Sequence, residues 1–398
     1  MSQPSELKRW QDMLRQQKQV NAWQWLTRIE TAADLPELVK QEYDNLLRVL
    51  ENTIEDDETF DLAFTLIQKL HPFVVGYADW DRWLTYLQRA LTHSQKLERS
   101  QQHARLLELV SDMSYLAGDW TQAKSLYDDS LKAYEQLGDL HGSVSTLTRL
   151  SAIYASQGKT QEAIGTGSRA VQIAELTTNP TMVAHSKLAL SQIYYHAKFV
   201  EQSLTFSKEA FALGEQLGMI DLVDKALLNI VACEISLAHW EEATQAAKVL
   251  EESVAKSGDI RMLSQVRNNL GIIYFQKGEY LAAERAWDDV LQLHSQMQYP
   301  AEAAAIHNNL GKVYTKLGEW GTAEQMLLEA VQVYDSLGDL VQWTNTMDNL
   351  ADLYEAWGKT AVFQHTLQQA ITRLSLVQDS SLILELRATM QQRLTASS

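Results

Sequence analysis

Hydrophobic and polar positions along this chain recur with a period of 40 residues. In the unit that begins near Ser264, apolar and small residues follow helical spacing on both sides of a turn at Lys277-Gly278-Glu279. Helical spacing places such residues on one face, so each half of the unit is predicted to be an amphipathic helix. The pattern therefore predicts a helical hairpin that is repeated along the chain.

Three slots of the hairpin keep this period. The first helix has a leucine-like slot at Leu70, Val110, Leu150, Leu190, Ile230, Leu270, Leu310 and Leu350. It also has a tyrosine slot at Tyr154, Tyr194, Tyr274, Tyr314 and Tyr354. The second helix has a small slot at Ala123, Ala163, Ser203, Ala243, Ala283 and Ala323. A small side chain at a fixed point predicts close approach of two helices.

Glycine and aspartate mark the ends of the predicted helices. The turns inside seven of the hairpins carry Gly118, Gly158, Gly278, Gly318 or Gly358, and Lys198 and Ala238 fill the two gaps of this grid. Between hairpins stand Gly138, Gly218, Gly258 and Gly338, and three of them are followed by Asp139, Asp259 and Asp339. Glycine tolerates the left-handed helix cap, and aspartate is a good N-cap for the next helix.

A period of this length indicates an array of supersecondary units that bury a core only by stacking. We predict an all-α fold, a right-handed superhelical α-solenoid of about eight helix-turn-helix repeats with capping helices at both ends. Residues 1–63 are predicted to form an N-terminal helical cap. Residues 64–383 are predicted to form the array, and residues 384–398 the end of a C-terminal capping helix and a tail.

The repeat resembles the tetratricopeptide repeat over roughly four-fifths of the chain. The resemblance rests on Leu270-Gly271 with Tyr274, on Gly278 with Tyr280, and on Ala283 with Trp287. The usual unit has 34 residues, and the 40-residue unit is similar to the subclass in kinesin light chains, spindle-orientation adaptors and bacterial regulators of the Rap and maltose-regulator types. The proline that usually closes the second helix is missing, and Gly-Asp junctions replace it.

One row of positions directly precedes the leucine-like slot and holds asparagine in four successive units. The row reads Leu109, Arg149, Ala189, Asn229, Asn269, Asn309 and Asn349. The resemblance implies that this position faces a concave groove lined by first helices and contacts peptide ligands. An asparagine amide both donates and accepts hydrogen bonds, so such a row can hold the backbone of an extended peptide.

Neighbouring slots of the first helices complete the candidate groove. The further candidates are Asn268, Asn308, Ile272, Phe275, Gln276, Lys312 and Lys316. Phe275 and Ile272 would supply apolar contacts, and Lys312 and Lys316 are one turn apart and could take a carboxylate of the ligand. The alternative is a structural amide ladder, because asparagine within a helix can also cap it or bridge to the adjacent repeat.

Composition narrows the class of function. The net charge of −17 argues against general nucleic-acid binding, which needs a concentrated basic surface. No apolar run is long enough to span a bilayer, and no secretory signal is evident, so we expect no membrane partner and a cytoplasmic location. The single cysteine, Cys233, excludes an intrachain disulfide and a CxxC metal site.

Short fragments that resemble catalytic motifs are better explained as parts of the structural repeat than as catalytic sites. Gly158-Lys159-Thr160 lacks the preceding glycine and strand of a phosphate loop, and it falls on the repeat turn. No local metal-ligand spacing occurs among the ten histidines. We therefore predict neither an enzyme nor a cofactor or metal.

The sequence favours a non-enzymatic adaptor that binds an extended peptide or a partner helix in the concave groove. The alternative is a regulatory sensor whose superhelix changes shape when it binds a small peptide or metabolite. In either case the partner is a protein or peptide of unknown identity, and self-association is left open.

Overall fold

The protein is almost entirely helical. The computed structural model describes residues 3–77, 79–295, 300–377 and 380–396, and no strand forms within these ranges. The chain divides into two compact units, called here unit 1 (Met1–Leu217) and unit 2 (Gly218–Ser398).

Unit 1 contains ten α-helices and one 3₁₀ turn among its described residues. They are α1 (Gln3–Thr31), α2 (Leu35–Thr53), α3 (Phe60–Val74), the 3₁₀ turn Val75–Tyr77, α4 (Trp80–Lys96), α5 (Ser100–Leu116), α6 (Trp120–Leu137), α7 (Leu140–Ser156), α8 (Thr160–Leu176), α9 (Pro180–His196) and α10 (Val200–Leu217). From α3 onward the helices form hairpins, in which the odd-numbered helix comes first. The core of α1 to α5 buries large side chains such as Leu46, Phe60 and Trp83.

Unit 2 continues the same pattern. Its described helices are α11 (Ile220–Ser236), α12 (Trp240–Ser257), α13 (Ile260–Gln276), α14 (Tyr280–Ser295), α15 (Pro300–Leu317), α16 (Trp320–Leu337), α17 (Leu340–Ala356), α18 (Thr360–Leu374) and α19 (Ser381–Ala396). The predicted all-α array of eight helical hairpins is thereby confirmed. The helices of these hairpins run from Phe60 to Leu374.

The predicted slots explain how the hairpins pack. Every residue of the leucine-like slot is buried, and every residue of the small slot has no exposed surface. At Gly271 a Cβ atom would lie 2.5 Å from the Trp287 ring, and at Gly311 it would lie 2.5 Å from Leu327 Cγ. Glycine at these points is therefore required by close approach of the two helices of one hairpin.

The turns and junctions have the predicted backbone geometry. All five turn glycines have positive φ, and so do Lys198 (66°) and Ala238 (59°), which occupy the same turn without being glycine. Gly138, Gly258 and Gly338 form left-handed C-caps. The carboxylates of the aspartates that follow them each accept a hydrogen bond from the first turn of the next helix.

Helix α19 falls where the 40-residue period would place the first helix of a ninth hairpin. It ends at Ala396, one period after the end of α17 at Ala356. Met390 stands one period after Leu350 and is buried in the core of the last hairpin. The predicted closing helix therefore covers the apolar face at the end of the array, whereas the division into three domains stays a prediction.

Candidate groove on the first helices of unit 2

The asparagine row lies on four successive first helices of unit 2. Asn229 is on α11, Asn269 on α13, Asn309 on α15 and Asn349 on α17, each directly before a buried residue of the leucine-like slot. Asn229 is buried, and the other three are half-buried. A half-buried amide still reaches solvent, so Asn269, Asn309 and Asn349 are each in part accessible.

Some of the predicted amides make internal hydrogen bonds. The Asn349 amide nitrogen donates to Asn308 Oδ1 at 2.9 Å, which joins α17 to α15. The Trp287 indole donates to Asn268 Oδ1 at 2.8 Å, and Asn229 also has an interaction partner. Asn268 and Asn308 thus take part in packing, and the bridge between adjacent repeats that sequence left open does occur at Asn308 and Asn349.

Two amides of the row make no hydrogen bond of this kind within the described residues. The side chains of Asn269 and Asn309 hydrogen-bond to no other residue in the described part of the chain. They stand one period apart on neighbouring hairpins. Each can therefore give both a donor and an acceptor to a ligand without breaking a bond within the protein.

An open cavity of about 360 Å³ lies beside this row. Its lining is Phe275, Lys312, Thr315, Lys316, Asn349, Asp352, Glu355 and Ala356. The Lys312 ammonium lies 5.2 Å from the centre of the Phe275 ring, within cation–π range. The structure thus brings together four of the predicted site residues around one cavity. Ile272 packs into the adjoining apolar cluster, and Gln276 is exposed outside the lining.

The two lysines of the cavity have no acidic partner. No carboxylate of the described residues lies within 4.0 Å of the Lys312 or Lys316 ammonium. Burial lowers the pKa of Lys312, its neighbour Lys316 lowers it further, and Asp352 opposes the shift. A partly desolvated cation that no carboxylate contacts favours the arrival of an anionic group.

The acidic wall of the cavity has its own cation. Arg393 of α19 forms ion pairs with Asp348, with Asp352 at 2.5 Å and with Glu355 at 3.5 Å. Sequence reasoning missed this contact, because Arg393 lies outside the eight repeats. The 40-residue period could have revealed it, because it places α19 as a first helix that packs beside the acidic residues of α17.

Unit 1 uses the same groove positions differently. Arg149 stands where unit 2 has asparagine, and it pairs with Asp112 at 2.8 Å and Glu108 at 3.5 Å. Both carboxylates are buried, and Glu108 also binds Arg105 at 2.5 Å. Burial disfavours the Arg149 charge, but Asp112, Tyr127 and Glu108 together raise its pKa above the ordinary value.

Helical hairpins that repeat along the chain and pack on their neighbours define the class of α-solenoid repeat proteins. The tetratricopeptide repeat family model matches residues 102–175 and 302–374, and a second tetratricopeptide repeat model matches residues 264–297. The matched segments are tetratricopeptide repeats, and the architecture is that of a protein-interaction repeat scaffold. No curated protein matches the sequence significantly.

Solved structures of the same fold have low sequence identity. The apo form of RapI is similar with a TM-score of 0.63 and 14% identity over 89% of this chain and 96% of that protein. A Rap protein complexed with Competence and Sporulation Factor has a TM-score of 0.52 and 15% identity over 86% and 99%.

A signal transduction ATPase of the STAND type from Pyrococcus horikoshii, with a tetratricopeptide repeat sensor, has a TM-score of 0.60 and 16% identity. The match covers 82% of this chain but only 49% of that protein, so the chain spans about half its length. Within the described ranges no helix is both long and apolar enough to cross a membrane.

Proposed function

We propose that this protein binds an extended segment of a partner protein along the first helices of unit 2. The observation that carries the proposal is the pair of half-buried, unengaged amides at Asn269 and Asn309. One period separates them, so one extended segment that crosses α13 and α15 would meet both. Each amide would pair with a backbone C=O or N–H of the ligand and would not read its side chains.

The neighbouring cavity would supply the remaining contacts. Phe275 offers an apolar surface, and Lys312 with Lys316 offers charge to a carboxylate of the ligand. The fold shared with a Rap protein that was solved in complex with Competence and Sporulation Factor supports a binding role for such an array.

The test compares variants of the full chain that are tagged and purified from the host with their bound proteins. The double variant Asn269→Ala/Asn309→Ala removes both amides, and Asn345→Ala is the matched control, because Asn345 is an exposed asparagine of α17 outside the row. Each lost hydrogen bond costs about 1 kcal/mol, so a groove ligand should bind about tenfold or more weakly to the double variant. Quantitative mass spectrometry of the co-purified proteins measures the loss.

Partners that are lost from the double variant and kept by Asn345→Ala would support the groove. Partners that are retained by both variants at unchanged amounts would contradict it. Circular dichroism melting should show the double variant to be folded, because neither amide hydrogen-bonds within the described part of the chain.

The second candidate function is a sensor whose array changes conformation on binding. The structural similarity to a STAND protein with a tetratricopeptide repeat sensor favours it. Small-angle scattering of the full chain with and without a partner found in the experiment above provides the test. A ligand-dependent change in radius of gyration would support the sensor, and an unchanged value would count against it. The cytoplasmic location stays a prediction.

A further inference from the structure

We propose that Arg393 of α19 makes the groove selective for acidic ligands, because it takes the place at which a basic side chain of the ligand would otherwise bind. This inference rests on the proposed function and adds the residue that decides the charge of the ligand. Arg393 would be a specificity-determining residue that lies outside the repeats.

The contacts of Arg393 are those that a protein makes to an arginine side chain of a bound ligand. Its guanidinium reaches three carboxylates of α17, namely Asp348, Asp352 and Glu355. Its side chain is only 23% exposed and lies over the Phe363 ring at 5.6 Å. A guanidinium held by several carboxylates and an aromatic face is the arrangement by which proteins bind arginine side chains.

Two of those carboxylates line the cavity that also contains the unpaired lysines. Asp352 and Glu355 lie on its α17 wall, and Lys312 and Lys316 lie on its α15 wall. With Arg393 in place, the α17 wall already carries a cation, whereas no carboxylate of the described residues lies within 4.0 Å of the two ammonium groups on the α15 wall. The cavity therefore offers a free site to a carboxylate and an occupied site to an amine or guanidinium.

The carboxylate could come from an acidic side chain or from the free C-terminus of the ligand. Both present the same anionic oxygen atoms, so the structure specifies the chemistry and the experiment must identify the source. The adjacent Phe275 ring favours an apolar residue next to that carboxylate.

The test uses random 12-residue peptides displayed in two formats, one that ends in a free carboxylate and one that is tethered at both ends. The full-length protein selects from each library, and sequencing compares the ratio of Asp and Glu to Lys and Arg before and after selection. We expect the wild type to raise this ratio about tenfold, since one added ion pair in a partly desolvated site can have that effect. Enrichment in both formats would assign the carboxylate to a side chain, and enrichment only in the first would assign it to the C-terminus.

Two variants test the role of Arg393. Arg393→Gln leaves three carboxylates of α17 without their cation, two of them in the cavity lining, so the enrichment of acidic residues should disappear and basic residues should be selected instead. Arg393→Gln combined with Asp348→Asn, Asp352→Asn and Glu355→Gln removes the carboxylates as well, so acidic selection should return. A purely structural role of α19 would not give this recovery, because the combined variant also lacks the contact that holds the helix.

The outcomes separate the two proposals. Equal acidic enrichment by the wild type and Arg393→Gln would overturn the role of Arg393 and leave the groove intact. Peptides that bind with no charge preference would also overturn the inference. If the peptides selected by the wild type bind Asn269→Ala/Asn309→Ala equally well, the proposed groove itself fails.

Discussion

At the groove position, Arg149 of unit 1 is bound to two buried carboxylates, whereas Asn309 of unit 2 hydrogen-bonds to no other residue that the structure describes. Both side chains stand one residue before the leucine-like slot of a first helix. The same position is thus used for internal pairing in one unit and is left available in the other.

The acidic positions differ between the units in burial and in the origin of their partners. Glu108 and Asp112 of α5 fall at the same points of the period as Asp348 and Asp352 of α17. In unit 1 the carboxylates are buried and have several partners within the repeats, including Tyr127 and Ser145. In unit 2 Asp348 and Asp352 pair with Arg393 of α19, and Asp352 is exposed at a cavity. The carboxylates are therefore part of the core in unit 1, whereas in unit 2 they hold a cation at the surface.

The largest effect is expected from removing Arg149. Arg149→Ala leaves Asp112 and Glu108 with fewer partners in a buried site, which should lower the free energy of unfolding of unit 1 by about 2–3 kcal/mol. Asn309→Ala at the same position of unit 2 should change stability by less than about 0.5 kcal/mol. Hydrogen exchange with mass spectrometry can follow each unit separately. Equal losses in the two variants would contradict the contrast between the units.

A second test concerns Asp224, a buried carboxylate of unit 2. Asp224 is only 5% exposed, and its Oδ1 atom has no hydrogen-bond partner within the described structure. The same point of the period holds Ala184, Ser264, Ala304 and Thr344. Asp224→Ser should therefore stabilise unit 2 by about 1–2 kcal/mol at neutral pH, because it removes a buried carboxylate oxygen without a partner.

The pH dependence of this gain follows from the pKa of Asp224. Burial is the main reason that this pKa is raised, although a hydrogen bond from Ser253 opposes the shift. The folded state then binds the proton more tightly than the unfolded state, so the wild type gains stability as pH falls through the raised pKa. Urea denaturation at several pH values should show the difference between Asp224→Ser and wild type shrinking on acidification. A constant difference would mean that Asp224 is not the titrating group.

The sequence predicted the features that depend on the period alone. Turn glycines, N-capping aspartates and buried slots repeat every 40 residues, and the structure confirms each of them. The period could not show which amides are engaged, because the bond between Asn349 and Asn308 depends on side-chain geometry between two hairpins. The ion pairs of Arg393 were likewise hidden, since they join positions about one period apart whose helices meet only in the folded chain.

The smallest effect is expected from glycine substitutions in the turns, and it should be equal in the two units. Lys198 in unit 1 and Ala238 in unit 2 hold the left-handed turn conformation that glycine holds elsewhere. That conformation costs about 1–2 kcal/mol for an L-residue, and the greater freedom of glycine in the unfolded chain offsets part of the gain. Lys198→Gly and Ala238→Gly should each stabilise their unit by about 0.5–1 kcal/mol in denaturant unfolding.

The matched control is Gly278→Ala, which should destabilise unit 2 by a similar amount. No heavy atom outside the turn lies within 4 Å of the added Cβ, so only the backbone conformation opposes it. If the two glycine variants differed strongly, the units would differ in more than their groove positions.

The constant 40-residue period also limits how the length of this chain can change during evolution. One inserted residue turns the rest of its helix by about 100°, which would rotate groove side chains toward the core and core side chains toward solvent. A duplication of one whole period would return every turn, cap and small residue to an equivalent place, and it would add one groove position. The number of hairpins can therefore change by gene duplication far more easily than the length of any single helix.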